Sequence, residues 1–158
     1  MNYKSKIIAF TDGSCMKKKI GSLCGYACYF PNKELPNISR KFSHEPLTNQ
    51  RAELYAIYKA IKKVTNKYKF DELTIYSDSE YSIKSITTWI NTWKKNGWKT
   101  ANKKPVLNLD IIKKIDNILQ KFSNIKFIHV KSHTSKSDFI SKSNEITDEL
   151  AKKGALHP

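Results

Sequence analysis

"KIIAFTDGSC", residues 6–15, sets four apolar positions, Ile7, Ile8, Ala9 and Phe10, directly ahead of Thr11-Asp12-Gly13. A short apolar run bounded by a turn dipeptide reads as a buried strand that Asp12-Gly13 brings to a stop. "GYACYF" (25–30) is then a second strand ended by Pro31-Asn32, and "NISRKFSHE" (37–45) a third, alternating at Ile38, Arg40 and Phe42. Short connections make these three an antiparallel meander. The period then changes. "NQRAELYAIYKAIKKV" (49–64) places Ala52, Leu54, Tyr55, Tyr58, Ile61 and Val64 at helical spacing, with Thr48 or Asn49 available as N-cap.

The same reading continues to the end of the chain. "ELTIYSD" (72–78) is a fourth strand and "EYSIKSITTWINTWKK" (80–95) is mostly helical. "NLDIIKKIDNILQKF" (108–122) is a helix with one apolar face and Asn108 as its N-cap candidate. "NIKFIHVKS" (124–132) is a fifth strand, and "NEITDELAKKGA" (144–155) a closing helix that ends near Gly154. The order predicts an α/β fold: a five-stranded mixed sheet flanked by helices, three antiparallel strands and then two parallel to the first. With 158 residues and no internal repeat, one domain over 1–158 is expected.

Apolar residues make up 39% and charged ones 27%, the balance of a globular chain. The 29 basic residues outnumber the 14 acidic ones, and the net charge of +15 favours polyanions, nucleic acid before anionic membrane. That charge does not lie on an apolar amphipathic helix, so no membrane partner is expected. No apolar run approaches the ~20 residues that span a bilayer, and "MNYKSKIIAF" is too weakly apolar for a secretory signal. An intracellular, cytoplasmic location is expected. Cys15, Cys24 and Cys28 are odd in number and match no disulfide framework, and Cys24 and Cys28 lack a second ligand pair for zinc. Structural roles are expected for all three.

Four acids carry the chemistry. Asp12 ends the first strand and Asp78 the fourth, so if those strands are parallel neighbours both carboxylates reach the edge where open α/β sheets bind ligands. Glu53 lies in the first turn of the helix after strand three, and Asp148 near the start of the last helix. Carboxylates gathered this closely need cations between them, and hard oxygen donors select magnesium or manganese. Two such ions ~3.5–4 Å apart clamp a phosphodiester. Singly, each acid is more simply a turn or helix-dipole residue. The convergence is what points to a nuclease.

The motifs "FTDGSC", "TNQRAELYAI", "IYSDSEYSI", "WKKNGWKTANKKPV" and "NEITDELAKKGA" occur in the order found in type 1 ribonucleases H, and the chain resembles that family from about Ile7 to Ala155. "TNQRAEL", "SDSEY" and "WKKNGWKT" at these spacings are the specific part. The resemblance implies the ribonuclease H-like fold and cleavage of the RNA strand of RNA–DNA hybrids, leaving 5′-phosphate and 3′-hydroxyl ends. It implies that Asp12, Glu53, Asp78 and Asp148 hold two magnesium ions, with manganese a substitute. The first and last acids would hold the ion that delivers water, the first three the ion near the leaving oxygen. His133, just past strand five, stands where the family has a mobile histidine linked to proton handling. His129 is more simply structural.

Substrate contacts follow from the same resemblance. Asn49 and Gln50 would meet the RNA sugars, whose 2′-hydroxyls distinguish RNA from DNA. Thr48 would help hold a DNA-strand phosphate, with Asn108 a second candidate, and Asn144 is a further substrate-binding candidate. The stretch 89–105, "WINTWKKNGWKTANKKP", holds all three tryptophans and matches the family's basic protrusion, with Trp93, Lys94, Lys95 and Lys99 against the DNA strand. Trp89 is expected to pack within the fold, and Trp98 is undecided. Some members of the family lack this protrusion and need help in binding substrate; its presence implies that this domain works alone, so no obligate protein partner and a monomer are expected. Three departures stand out: Pro46 replaces a frequent arginine, Cys24 replaces a frequent glycine, and fourteen residues separate His133 from Asp148. The rival readings are a related DNA nuclease of the same fold, which "TNQRAEL" opposes, and a non-catalytic hybrid-binding module, which the four acids oppose.

Overall fold

The structure, a computed structural model, describes residues 1–132 and 136–157. Its first three strands are β1 (Asn2–Lys18), β2 (Gly21–Tyr29) and β3 (Ile38–Phe42). Then come α1 (Asn49–Lys67), β4 (Tyr68–Ser77), α2 (Glu80–Thr87), α3 (Trp89–Lys95), α4 (Leu109–Leu119), β5 (Ile125–His129) and α5 (Phe139–Ala155). The strands form one sheet in the order β3-β2-β1-β4-β5. The β1–β2 and β2–β3 pairs are antiparallel, and β1–β4 and β4–β5 are parallel. This is the mixed sheet that the sequence predicts.

The end of β1 differs from expectation. Asp12-Gly13 does not stop the strand, which runs on to Lys18 against β2. What stops at this point is the pairing with β4, whose last rung is Thr11↔Ser77. A glycine is required at 13 for another reason: a Cβ there would lie 2.4 Å from the Glu53 amide nitrogen. Gly13 is the seat on which α1 rests. Cys15 and Cys24 face each other across β1 and β2 and form a disulfide, Cα atoms 4.0 Å apart. Spacing along the chain could not reveal this pair, because strand register creates it. Cys28 stays free and buried, its thiol donating to the Ala56 carbonyl at 3.2 Å.

Tyr26 on β2 meets Tyr55 of α1, while a Cβ on its neighbour Gly25 would strike the backbone of α5. Successive strand residues point to opposite faces, so α1 and α5 sandwich the sheet. The main core fills the α1 side, where Leu54, Ile57, Ile61 and Val64 meet Ile7, Leu73 and Ile75. Thr48 caps α1, its hydroxyl accepting from the Arg51 amide at 3.2 Å. The helical run after β4 is broken at Thr88 into α2 and α3.

The closing helix begins earlier than its apolar pattern suggests. Asp138 caps it by accepting from the Ser141 amide at 3.0 Å, so most of the interval between His133 and Asp148 is helical. Asp148 therefore stands about two and a half turns into α5, not near its start. The helix ends at Ala155, near Gly154 as expected, and Gly154 lets α5 approach β3, where a Cβ would lie 2.6 Å from the Arg40 carbonyl oxygen. Among the described residues, no helix is long and apolar enough to cross a membrane.

Candidate active site

Asp12 projects from β1 just past its last rung with β4, and Asp78 follows directly on Ser77, the last residue of β4. Glu53 joins them from α1. Because Thr48 is the cap, Glu53 lies beyond the first turn of that helix rather than within it. One carboxylate oxygen from each of Asp12, Glu53 and Asp78 lies within 4.8 Å of the others. Asp12 is 3% exposed. Its Oδ1 accepts from the Gly13 amide at 2.9 Å, and its Oδ2 has no hydrogen-bond partner among the described residues.

Such an arrangement resists ionisation. Burial, then the charges of Asp78 and Glu53, and then a hydrogen bond and charge from Asp148 push Asp12 up to about 10. Glu53 is pushed up to about 7, mainly by burial; a hydrogen bond from Ser79 works against that, and the Asp78 charge adds to it. Asp148 lies outside the three-oxygen cluster, and its Oδ2 pairs with Lys152 at 3.0 Å on the same helix. Its hydrogen bond and charge on Asp12 couple it to the group. Asp12, Glu53 and Asp78 thus meet at one place, and Asp148 lies near enough to act on Asp12. His129 Nε2 donates to the Asp78 carbonyl oxygen at 3.2 Å, which anchors the backbone under that acid. His133 lies outside the described residues.

The residues expected to bind substrate are arranged less uniformly. Thr48, Asn49 and Gln50 are exposed at the start of α1. Asn49 Oδ1 also accepts from the Cys15 amide at 2.7 Å, tying α1 to β1. Asn108 holds the N-cap position of α4 in a left-handed conformation (φ 62°), but its side chain makes no capping bond and donates instead to the Tyr81 hydroxyl at 2.9 Å. Asn144 is only 5% exposed within α5, away from open surface, with its Oδ1 unpartnered among the described residues.

In the basic stretch, burial reverses part of the expectation. Trp89 is the exposed ring at 38%, edged by Tyr81 and Trp93, whereas Trp93 and Trp98 are partly buried against the core. Lys94 pairs with Asp116 of α4 at 2.7 Å, while Lys95 and Lys99 stay exposed.

Sequence reasoning passed over Arg51. It is 4% exposed and makes two 2.8 Å bonds to Asp110, while also donating to the carbonyls of His44 and Glu45 at 3.3 and 3.2 Å. One guanidinium fork thus ties the segment before Thr48 to the start of α4 beside Asn108. The signal was an arginine within an otherwise apolar helix face, a position seldom filled without a buried partner.

Comparison with known proteins agrees with this geometry. The RNase H family model matches residues 4–156. A ribonuclease H of Schizosaccharomyces pombe is 40% identical over 149 residues, covering 94% of this chain and 52% of that protein. The chain thus spans about half of that relative. A ribonuclease H of Salmonella paratyphi C is 38% identical over 151 residues, covering 94% of this chain and 88% of that one. Among solved structures, the PFV RNase H domain superposes with a TM-score of 0.76 at 25% identity, covering 94% of this chain and 93% of that one.

Proposed function

The chain belongs to the RNase H family, and from that premise we propose that it is an endonuclease that hydrolyses the RNA strand of RNA–DNA hybrids. Residues 1–158 would act as one catalytic domain, monomeric and without an obligate protein partner, in an intracellular, cytoplasmic setting. The observation that carries the reading is the electrostatic state of Asp12: buried, faced by three other acids, with one oxygen unpartnered among the described residues. A carboxylate group of this kind is stable as anions only around cations. The donors are all carboxylate oxygens, which fits magnesium, with manganese as substitute.

Asp12, Glu53 and Asp78 would hold one ion, and Asp12 with Asp148 the second. Bound there, the metal pair supplies Lewis-acid charge and a water acidified for attack on phosphorus, giving 5′-phosphate and 3′-hydroxyl products. The protein's own groups set the stage for this. Gly13 N–H fixes one Asp12 oxygen and leaves the other offered to the site. Ser79 restrains Glu53, His129 anchors the backbone of Asp78, and Lys152 orients Asp148. Thr48, Asn49 and Gln50, exposed one turn before Glu53, suit contact with sugars and phosphates of the two strands. His133 would assist proton transfer and product release.

The deciding experiment offers end-labelled hybrid, RNA duplex, DNA duplex and both single strands with magnesium. Cleavage confined to the RNA of the hybrid, lost with chelator, is expected. Cutting of the DNA strand, or of DNA duplex, would transfer the site to the DNA-nuclease reading. Tight hybrid binding without cleavage in either metal would favour a binding module.

A further inference from the structure

Beyond Glu53, α1 carries no acid but four lysines, Lys59, Lys62, Lys63 and Lys67. Alongside it runs α4. Arg51 meets Asp110 near the start of both helices, and Tyr58 meets Lys114 further along, so the two lie side by side in one direction. Past Tyr58 the seam opens into a cleft of about 450 Å³, lined among others by Tyr58, Lys62, Asn66, Lys114, Asn117 and Lys121. No carboxylate lines it among the described residues. Both acids of α4 are engaged elsewhere, Asp110 with Arg51 at 2.8 Å and Asp116 with Lys94 at 2.7 Å. Three ammonium groups therefore share one groove without internal compensation.

Two of them are also held in place. The ammoniums of Lys62 and Lys114 lie 5.6 and 5.7 Å from the centre of the Tyr58 ring, within range for attraction to its π-face. The side-chain amides of Asn66 and Asn117 add neutral donors and acceptors. We propose that this α1–α4 cleft is a second nucleic-acid site that takes the phosphate backbone of a single strand. A charged groove with an aromatic wall and polar amides is how proteins hold single strands without regard to sequence. The cleft, about 450 Å³ in volume, is of a size to take a short stretch of one strand's backbone. Lys62 stands nine residues beyond Glu53 on α1, about 14 Å along the axis. An unpaired tail leaving a hybrid seated at the acids could reach the cleft along this helix.

The test is binding of fluorescent oligo(dT) in chelator, which needs no cleavage and is independent of the proposed enzymatic reading. Wild-type protein is compared with Lys62→Glu/Lys114→Glu/Lys121→Glu and with the corresponding triple Gln variant, all three positions being exposed. Affinity is expected to fall at least about ten-fold in the Glu variant and less in the Gln variant, with the salt slope shallower by about 0.7 for each phosphate that no longer meets a lysine. Both variants should cleave a short blunt hybrid at the wild-type rate. For wild type alone, a single-stranded tail should lower the KM of that hybrid. Unchanged oligo(dT) affinity and slope in the Glu variant would overturn the proposal. So would equal KM for blunt and tailed hybrids, or an acidic peptide that outcompetes an oligonucleotide of equal charge for the cleft.

Discussion

Asp12 is buried, confronted by Glu53, Asp78 and Asp148, and has an oxygen with no partner among the described residues, so its ionised form is strained without a cation. The consequence has a definite sign. An unfolded aspartate titrates near ~3.9, whereas in the fold Asp12 is raised to about 10. Between those values the folded state keeps a proton that the unfolded state has released, so stability falls as pH rises. With chelator present, the Tm of wild type should drop between about pH 6 and pH 9, and Asp12→Asn should flatten that decline. At the upper end the variant should melt several degrees higher, since ~1 kcal/mol shifts Tm by about 2–4 °C in a chain of this size. Magnesium should raise the Tm of wild type much more than that of the variant. The same Asp12→Asn change should abolish cleavage while leaving hybrid binding largely intact. A flat wild-type profile in chelator, or surviving cleavage near the normal rate, would remove Asp12 from the centre of the site.

At the scale of elements, two contacts position the acids, and each can be perturbed separately. Gly13 seats α1 on β1, with the Glu53 backbone 2.4 Å from where a Cβ would sit. Gly13→Ala should cost roughly 1–3 kcal/mol in chemical denaturation, as overpacking does, and should lower kcat by displacing Glu53. Normal stability and activity would mean that the seat is looser than it looks. Arg51 holds Asp110 down to about 2, chiefly through their hydrogen bonds. That stabilisation is present above the ordinary carboxylate range and is lost as pH falls from about 4 to 2. Asp110→Asn should blunt acid destabilisation modestly, because Asp110 is 62% exposed and well screened. Arg51→Ala should cost more, about 2–3 kcal/mol, since it also strips the His44 and Glu45 carbonyls of their donor. These contacts also mark where the sequence was readable. Periodicity identified all five strands and the helices, because it is a local property of the chain, and strand ends pointed to Asp12 and Asp78 at one edge of the sheet. The run of β1 past Gly13, the Cys15–Cys24 bond and the Arg51–Asp110 pair each depend on a partner distant in sequence. The early start of α5 was missed because its cap, Asp138, precedes a polar turn with little apolar signal.

For the molecule as a whole, the net charge of +15 was legible at once, but its distribution was not. Part of it is internally compensated: Lys94 is tied to Asp116, Lys84 to Glu80 and Lys126 to Glu72. Lys94 braces α3 against α4, so its replacement would mix a stability effect with a binding effect. A cleaner probe of the basic stretch is Trp93→Ala/Lys95→Ala/Lys99→Ala, which leaves the Lys94–Asp116 pair in place. If this stretch guides the DNA strand, its contacts act in substrate and transition state alike, so KM should rise with kcat nearly unchanged. The salt dependence of hybrid binding should also become shallower, by about 0.9 in slope for each duplex phosphate left without its lysine. The Tm of the variant separates this from a folding defect, because Trp93 is partly buried against the core. A raised KM at normal Tm places the stretch in the substrate path. An unchanged KM with a lowered Tm would mean that α3 serves the fold alone, and that the exposed charge on other faces carries the attraction for nucleic acid.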